Sequence, residues 1–284
     1  MPRDFEPLPA SLLSHAQKTL ARAVSCSGSG THGGQYVSLV LQPAPADSGI
    51  VFERSDLSRH NLIPALWNLV QVTPLCTQIV NAQGAEVRTI EHIMAALYAS
   101  GIDNARIVLD GPEVPLMDGA SAFFMNLIEE AGIRSVKAPR RFLKITRPIE
   151  VRRGDAFARL EPASTASFHI TIAYPQHQVG EQSFAFDFGE QDFAEEVAGA
   201  RTFGFEPDIE ALRRKGLTLG CTMDNAILIN AQGQVANPEG YRFPNELARH
   251  KLLDAIGDLS LAGAVVLGRF TGNRSGHALN DLSG

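Results

Sequence analysis

Cysteine is scarce in this sequence: the 284 residues include three cysteines, and no two of them form a CxxC pair. An odd number without paired spacing argues against a disulfide framework and against a cysteine zinc site, so a reducing compartment is expected. The sequence also has no apolar run of the roughly 18 residues that a membrane-spanning helix needs. Its first residues lack the apolar stretch of a secretory signal. We therefore expect a cytoplasmic protein.

An excess of positive charge is also absent, since the formal net charge is -6. A surface that binds nucleic acid usually needs a basic excess, so no nucleic-acid partner is expected. Hydrophobic residues make up 44% of the chain and charged residues 20%, which is typical of a globular protein with a sizeable core. The length suits one large domain or two ordinary ones.

Blocks of predicted strands stand between predicted helices in both parts of the sequence, which favours an α+β fold over a doubly wound sheet. One helix is predicted over residues 89–101, with Thr89 as its N-cap. A short polar and basic connector at residues 135–141 is the best candidate for a domain boundary. We predict an N-terminal α+β domain at residues 1–137 and a C-terminal α+β domain at residues 138–284.

A helix predicted around the segment "RHKLLDAIGD" carries four groups that are costly to bury. His250 and Asp254 are four residues apart, so they lie on one helix face about 5–6 Å apart and could bind one zinc ion. The alternative is a surface pair in which Asp254 only accepts a hydrogen bond from His250. The surrounding leucines favour a buried helix whose charges need partners. Lys251 and Asp258 share a flank of this helix, and Gly257 indicates a close approach by another backbone or a substrate.

A zinc hydrolase needs a third protein ligand and an open coordination position. The segment "TIEHIMAAL" offers His92 as that ligand, with Glu91 beside it as a general base toward water. Both residues fall in the first turn of the predicted helix, where the helix dipole favours an ionised carboxylate. The alternative is a helix start whose only feature is this favourable charge.

His277, in the segment "NRSGHALN", follows a predicted buried strand, and catalytic groups often collect where strands end. As an imidazolium it could protonate a leaving amine, with Asp258 raising its pKa. The alternative is a solvated loop histidine. The glycine-rich segment "GSGTHGG", which contains His32, is not a P-loop and predicts only a tight turn.

Several separated segments, in this order, together resemble the family of UDP-3-O-acyl-N-acetylglucosamine deacetylases, the zinc amidases of lipid A biosynthesis. The resemblance runs from about residue 18 to residue 284. The segments that carry it are "GSGTHGGQYVSLVLQPAPADSGIVFERSD", "LCTQIVN", "TIEHIMAAL", "GIDNARIVLDGPEVPLMDGAS", "ARTFGF", "RHKLLDAIGDL" and "SGHALN".

This resemblance implies two similar α+β halves with helices packed between two outer sheets. It implies one catalytic zinc ion, with ferrous iron as the open alternative, held by His92, His250 and Asp254. It also implies that Glu91 is the general base and that His277, oriented by Asp258, is the acid. Lys251 and Thr202 are then expected to stabilise the oxyanion.

The substrate implied is a UDP-glucosamine with an N-acetyl group and a 3-O-acyl chain, and residues 205–242 are expected to line a passage for that chain. Further residues are expected at the substrate: Phe203 at the sugar, Cys76 near the metal, Tyr174 near the uridine, and Arg274 and Lys144, with Arg140 and Arg141, at the diphosphate. We expect a monomer with transient proximity to the inner membrane. A zinc amidase for another acylated amino sugar and a non-catalytic family member remain the alternatives.

Overall fold

A computed structural model describes residues 15–73, 75–177 and 179–280 of the chain. The first part of the chain contains ten strands and two helices among these residues. They are β1 Ala16–Leu20, β2 Val24–Ser29, β3 Tyr36–Pro43, β4 Ile50–Arg54, β5 Leu62–Pro64, β6 Val70–Val72, β7 Thr77–Val80, β8 Glu86–Arg88, α1 Glu91–Ala99, β9 Ala105–Leu109, α2 Ala122–Ala131 and β10 Ile133–Pro139.

The second part contains eight strands and four helices among the described residues. They are β11 Phe142–Lys144, β12 Ile149–Arg153, β13 Ala156–Glu161, β14 Ala166–Tyr174, β15 Val179–Asp187, α3 Phe193–Glu196, β16 Phe203–Phe205, α4 Glu206–Arg214, β17 Ile227–Ile229, α5 Glu246–Ser260, β18 Val265–Asn273 and α6 His277–Asn280. The strands stand in blocks between helices, so the prediction of an α+β fold is confirmed.

The two large sheets have the same topology. In the first part the strand order is β2-β3-β9-β4-β5, and in the second it is β12-β13-β18-β14-β15, with β11 also pairing with β18. In each sheet the central strand is antiparallel to one neighbour and parallel to the other, and a hairpin forms each flank. In each case a long buried helix, α1 or α5, precedes the central strand. This correspondence supports the predicted two similar halves.

The helices α1 and α5 pack against each other, and α5 also contacts β14 and β15. Every residue of α1 is buried, as expected for a helix that is apolar around its whole circumference. One side of α1 joins the hydrophobic core of the first half through Ile93 and Leu97. Its other side joins the core of the second half through Ala95 and Tyr98. Residues at the start of α1 are therefore held between the two halves.

Two details of the sequence prediction were wrong. Thr89 is not the N-cap of α1, because Ile90 occupies that position and no side chain caps the helix. The Thr89 hydroxyl instead donates to the Glu113 carboxylate at 2.9 Å, and its φ of 56° is left-handed. Residues 135–141 are not a polar connector either, because strand β10 reaches Pro139 and pairs with β1. The domain boundary between residues 137 and 138 stays a prediction.

No helix in the described part of the chain is long and apolar enough to cross a membrane.

Candidate metal centre and active site

The first turn of α1 and the middle of α5 bring three ligand-type side chains together. The Nε2 atom of His92 lies 3.7 Å from Oδ1 of Asp254. The Nε2 atom of His250, one turn before Asp254 on α5, lies 3.4 Å from the same oxygen. The two imidazole rings are nearly perpendicular, with their centroids 5.0 Å apart. One potential ligand atom from each residue lies within 4.8 Å of the others.

The chemistry of this set fits a divalent metal ion. Burial lowers the pKa of His92 to about 3, with a further contribution from His250, and burial also lowers the pKa of His250. Both imidazoles are therefore neutral at physiological pH, the form in which a histidine can bind a metal ion. Burial alone would favour a protonated Asp254, but His250 and Lys251 hold its pKa well below the usual range. Oδ1 of Asp254 is buried and accepts no hydrogen bond from any described residue, as expected of an oxygen that coordinates a metal.

Neighbouring groups hold the ring of His250 and the backbone of His92. Nδ1 of His250 lies 3.0 Å from the backbone oxygen of Ala200, so it donates there and leaves Nε2 toward Asp254. The backbone oxygen of His92 accepts a hydrogen bond from the Ser121 hydroxyl at 2.8 Å. Metal-binding histidines commonly donate their second N–H to a carbonyl or carboxylate, which fixes the tautomer.

Glu91 and His277 face each other beside these ligands. Oε1 of Glu91 lies 3.9 Å from Nε2 of His277, and Nε2 of His277 also lies 3.9 Å from Oδ2 of Asp254. Burial raises the pKa of Glu91 to about 7, against the opposing effect of His277. A carboxylate with such a pKa can both accept and release a proton near neutral pH.

The Asp258 carboxylate keeps His277 protonated. Nδ1 of His277 lies 3.0 Å from Oδ2 of Asp258. Burial opposes the charged imidazolium, but the attraction and hydrogen bond of Asp258 outweigh it and raise the pKa of His277 to about 9. Asn280 also donates to Oδ2 of Asp258 at 2.8 Å. A protonated His277 next to a partly ionised Glu91 is an acid and base pair with separated pKa values.

A cavity of about 960 Å³ opens over these groups. Lys251 lies at its edge, where its ammonium group contacts Oδ2 of Asp254 at 2.7 Å and lies 5.8 Å from the centre of the Phe203 ring. Burial opposes the charge of Lys251, but the attraction of Asp254 raises its pKa, so it stays cationic. Thr202 and Tyr174 also line the cavity. The Tyr174 ring packs edge-on against Phe203, with the centroids 5.7 Å apart.

Apolar residues of α4 and β17 contribute to the lining of the cavity. They are Ile209 and Leu212 of α4 and Ile227 and Leu228 of β17. Strand β16 begins this region and pairs in parallel with β17. Because these residues belong to the segment 205–242, that segment forms a wall of the cavity next to the candidate metal ligands.

Comparison with known proteins assigns the family. The family model described as LpxC, UDP-3-O-acyl N-acetylglycosamine deacetylase, matches residues 17–282. The chain belongs to the LpxC family.

Curated relatives agree with this family model. A UDP-3-O-acyl-N-acetylglucosamine deacetylase of Myxococcus xanthus is 48% identical over 267 residues, which cover 94% of this chain and 84% of the relative. One from an Anaeromyxobacter species is 49% identical, covering 93% and 86%. One from a Shewanella species is 44% identical, covering 93% and 87%. Nearly the whole chain is therefore similar to LpxC enzymes over most of their length.

Not every residue predicted at the LpxC substrate lies in this cavity. Lys144 is exposed on β11, where it pairs with Leu267, and is not among the lining residues. Arg274 is exposed beside the cavity and its backbone N–H donates to Thr171. Arg140 and Arg141 line a different cavity, of about 320 Å³, and form ion pairs there with Asp103 and Asp47, respectively. Cys76 is buried next to Thr77 and lines a small cavity with His277 and Asp258.

Sequence reasoning missed two residues of this LpxC-family site. His32 is buried, its ring lines the cavity, and its Nδ1 forms no hydrogen bond with any described residue. The Glu113 carboxylate holds the loop of His32 by accepting the backbone N–H groups of His32 and Gly33 at 2.8 and 3.0 Å. Thr77 is the second residue, and it contacts both Glu91 and His277. Its segment, "LCTQIVN", offered a family resemblance but no spacing that indicates such a role.

Proposed function

We propose that this chain is a zinc-dependent hydrolase that removes the N-acetyl group of UDP-3-O-acyl-N-acetylglucosamine in lipid A biosynthesis. The observation that supports it best is the meeting of His92, His250 and Asp254 beside the Glu91–His277 pair at one end of a large, partly apolar cavity. The names of the curated relatives support the choice of substrate.

His92, His250 and Asp254 would hold the metal ion in this mechanism. A bound zinc ion supplies Lewis acidity, which polarises the amide carbonyl and lowers the pKa of water to about 7. Zinc suits two imidazoles and a carboxylate, and ferrous iron is the alternative that these ligands also accept.

Glu91 accepts a proton from the water molecule that attacks the acetyl carbon. Its carboxylate lies at the start of α1, where the helix dipole favours the ionised form before the reaction. His277 then donates a proton to the sugar nitrogen as the carbon–nitrogen bond breaks, so that acetate and a free amine leave. General acid and base groups of this kind each contribute about 10²–10⁴ in rate.

The oxyanion that forms during the attack needs hydrogen-bond donors or positive charge. Lys251 is half-buried against Asp254 and remains cationic, and Thr202 lines the same cavity. A donor aimed at an oxyanion contributes about 10²–10³ in kcat. We assign Lys251 and Thr202 to this task.

Substrate recognition is divided between two regions of the cavity. Phe203 and Tyr174 offer ring faces to the sugar and the uridine, and the apolar residues of α4 and β17 that line the cavity accept the 3-O-acyl chain. Arg274 is the nearest of the proposed diphosphate contacts in sequence to His277. We further propose a cytoplasmic monomer that approaches the inner membrane only transiently.

The decisive experiment is mass spectrometry of the UDP-linked acyl sugar after incubation with purified zinc-loaded protein. Loss of one acetyl group with release of acetate is the expected result. Chelation should abolish this reaction and added zinc should restore it, and elemental analysis of the purified protein identifies the native metal. Turnover of other acylated amino sugars but not of the UDP substrate would support the alternative amidase, and no turnover of either would support a non-catalytic member.

A further inference from the structure

One threonine of β7 contacts the catalytic base through its backbone and the catalytic acid through its side chain. The backbone N–H of Thr77 donates to Oε2 of Glu91 at 3.1 Å. Its hydroxyl group donates to Oδ1 of Asp258. The hydroxyl oxygen of Thr77 also lies 2.9 Å from Nδ1 of His277. Thr77 itself is 3% exposed, so water does not compete for these contacts. No other described residue is hydrogen-bonded to both Glu91 and His277.

We propose that Thr77 is a positioning residue of the proposed deacetylase, which holds Glu91 and His277 at a set separation so that both face the scissile amide. This inference rests on the proposed function, because a distance between an acid and a base matters only if they act on one substrate.

The hydrogen-bonding capacity of a hydroxyl explains why a threonine suits this position. A hydroxyl has one donor and two acceptor sites. Its single hydrogen is used by Asp258, which as a carboxylate can only accept. The hydroxyl oxygen of Thr77 can then accept the Nδ1–H of His277. Thr77 and Asp258 therefore both contact the Nδ1 side of the imidazole ring. The Nε2 atom of His277 must consequently point into the cavity.

The backbone N–H of Thr77 orients the carboxylate of Glu91 in a similar way. Because Oε2 of Glu91 accepts the N–H of Thr77, Oε1 is the oxygen that faces His277, at 3.9 Å from Nε2. This separation is too long for a direct hydrogen bond. Oε1 of Glu91 and Nε2 of His277 therefore do not form a hydrogen bond with each other. Both atoms remain available to water and to the substrate.

The position of Thr77 in a paired strand fixes where both contacts begin. Thr77 is the first residue of β7, which pairs with β6 on one side and β8 on the other. Glu91 follows β8 after a short turn, and Asp258 comes from α5 in the other half of the molecule. Thr77 thus ties one end of the central strand of a small sheet to the helix that carries two proposed metal ligands.

The test compares Thr77→Val, which keeps the backbone N–H and the shape but removes the hydroxyl, with Thr77→Ser, which keeps the hydroxyl. We expect Thr77→Val to lower kcat about 10–100-fold, the usual cost of removing an outer-shell hydrogen bond. Its KM and its bound zinc should remain those of the wild type. Thr77→Ser should recover most of the lost kcat.

A matched control is Thr19→Val, since Thr19 is also fully buried and its hydroxyl oxygen accepts the backbone N–H of Ala44 at 2.9 Å, in the core of the first half. This variant should lose stability but keep kcat. If Thr77→Val does not fold, the comparison of Thr77→Ala with Thr77→Ser replaces it. Wild-type kcat in Thr77→Val, or an equal loss in Thr77→Ser, would refute the proposal. A loss of bound zinc large enough to account for the lost activity would also refute the proposal.

Wild-type turnover separates this inference from the proposed function. Acetate release by the wild type together with unchanged kcat in Thr77→Val rejects only the role of Thr77. Absence of acetate release by the zinc-loaded wild type rejects the deacetylase, and the inference with it.

Discussion

Gly257 of α5 packs directly on the backbone of Glu91 at the start of α1. A Cβ atom on Gly257 would overlap the carbonyl oxygen of Glu91 and lie 2.8 Å from its carbonyl carbon and 2.9 Å from its Cα. Real Cβ atoms do not approach backbone atoms so closely. The absence of a side chain therefore sets how near α5, with its two proposed ligand residues, comes to Glu91, the proposed general base. The sequence prediction of a close approach at this glycine is confirmed.

Gly257→Ala should therefore separate the two helices and displace Glu91. Alanine gains roughly 1 kcal/mol in helix propensity, but overpacking against a rigid backbone costs typically 1–3 kcal/mol. We expect a net loss of stability in urea unfolding and a fall in kcat. The control is Gly180→Ala, because a Cβ at Gly180 meets no atom within 4 Å, and it should leave kcat unchanged. A variant of Gly257 with normal kcat would show that the spacing of these helices does not matter.

Glu91→Gln should abolish the base without changing the shape of the site. The amide cannot accept the proton of the attacking water, so kcat should fall about 10²–10⁴-fold. Bound zinc, measured by elemental analysis, should be unchanged because Glu91 is not among the proposed ligands. Glu190→Gln, at an exposed turn, is the matched control. Near-normal acetate release by Glu91→Gln would remove Glu91 from this role.

Asp258→Asn should move the alkaline limb of the pH profile to lower pH. His277 must be protonated to act as the acid, and its pKa of about 9 depends on Asp258 after the opposing effect of burial. Without that carboxylate, the pKa of His277 should fall toward or below 6.5, so kcat/KM should decline at lower pH than in the wild type. An alkaline limb that does not move would contradict the pairing.

The same pKa shift affects stability, and its sign can be stated. The pKa of His277 is higher in the folded protein than in the unfolded chain, where it is about 6.5. Protonation of His277 therefore stabilises the fold fully below about pH 6.5, and this contribution is lost as the pH rises toward about 9. Urea unfolding of wild type and Asp258→Asn across this range should show a difference that shrinks with rising pH.

Glu246→Gln should destabilise the protein strongly. Glu246 is fully buried and accepts hydrogen bonds from the backbone N–H and the Nε of Arg201, at 3.0 and 2.9 Å. Breaking one partner of a buried ion pair costs about 3–5 kcal/mol, and Arg201 would keep only the exposed Glu239 as an acidic partner. Arg201 follows Ala200, whose oxygen holds His250, so zinc affinity should fall as well.

Glu210→Gln provides the comparison for Glu246→Gln. Glu210 and Arg214 form an exposed pair on α4 with an N–O distance of 3.5 Å, and exposed pairs contribute little to stability. Urea unfolding and zinc titration of both variants measure the two effects. Equal stability of the two variants would mean that the buried pair does not support the fold.

Much of the fold followed from local patterns. The helix around residues 249–258 was predicted from its apolar residues, and the helix α1 from a short run of good helix formers closed by Gly101. Thr89 was misassigned because propensity rules do not reveal that Glu113, distant in sequence, captures its hydroxyl. The strand β10 was missed because its residues are mostly exposed and mix apolar with basic side chains, and only pairing with β1 makes it a strand.

Sequence spacing alone was enough to place His250 and Asp254 on one face of a helix, since residues four apart on a helix always lie close together. The order of several motifs along the sequence was also enough to place the chain in its family. Only the tertiary structure decided that His92 meets this pair, that Thr77 contacts both Glu91 and His277, and that Lys144 lies on a strand outside the cavity. The physical reason is that these relationships arise from packing between the two halves, and no local periodicity records which distant residues such packing will bring into contact.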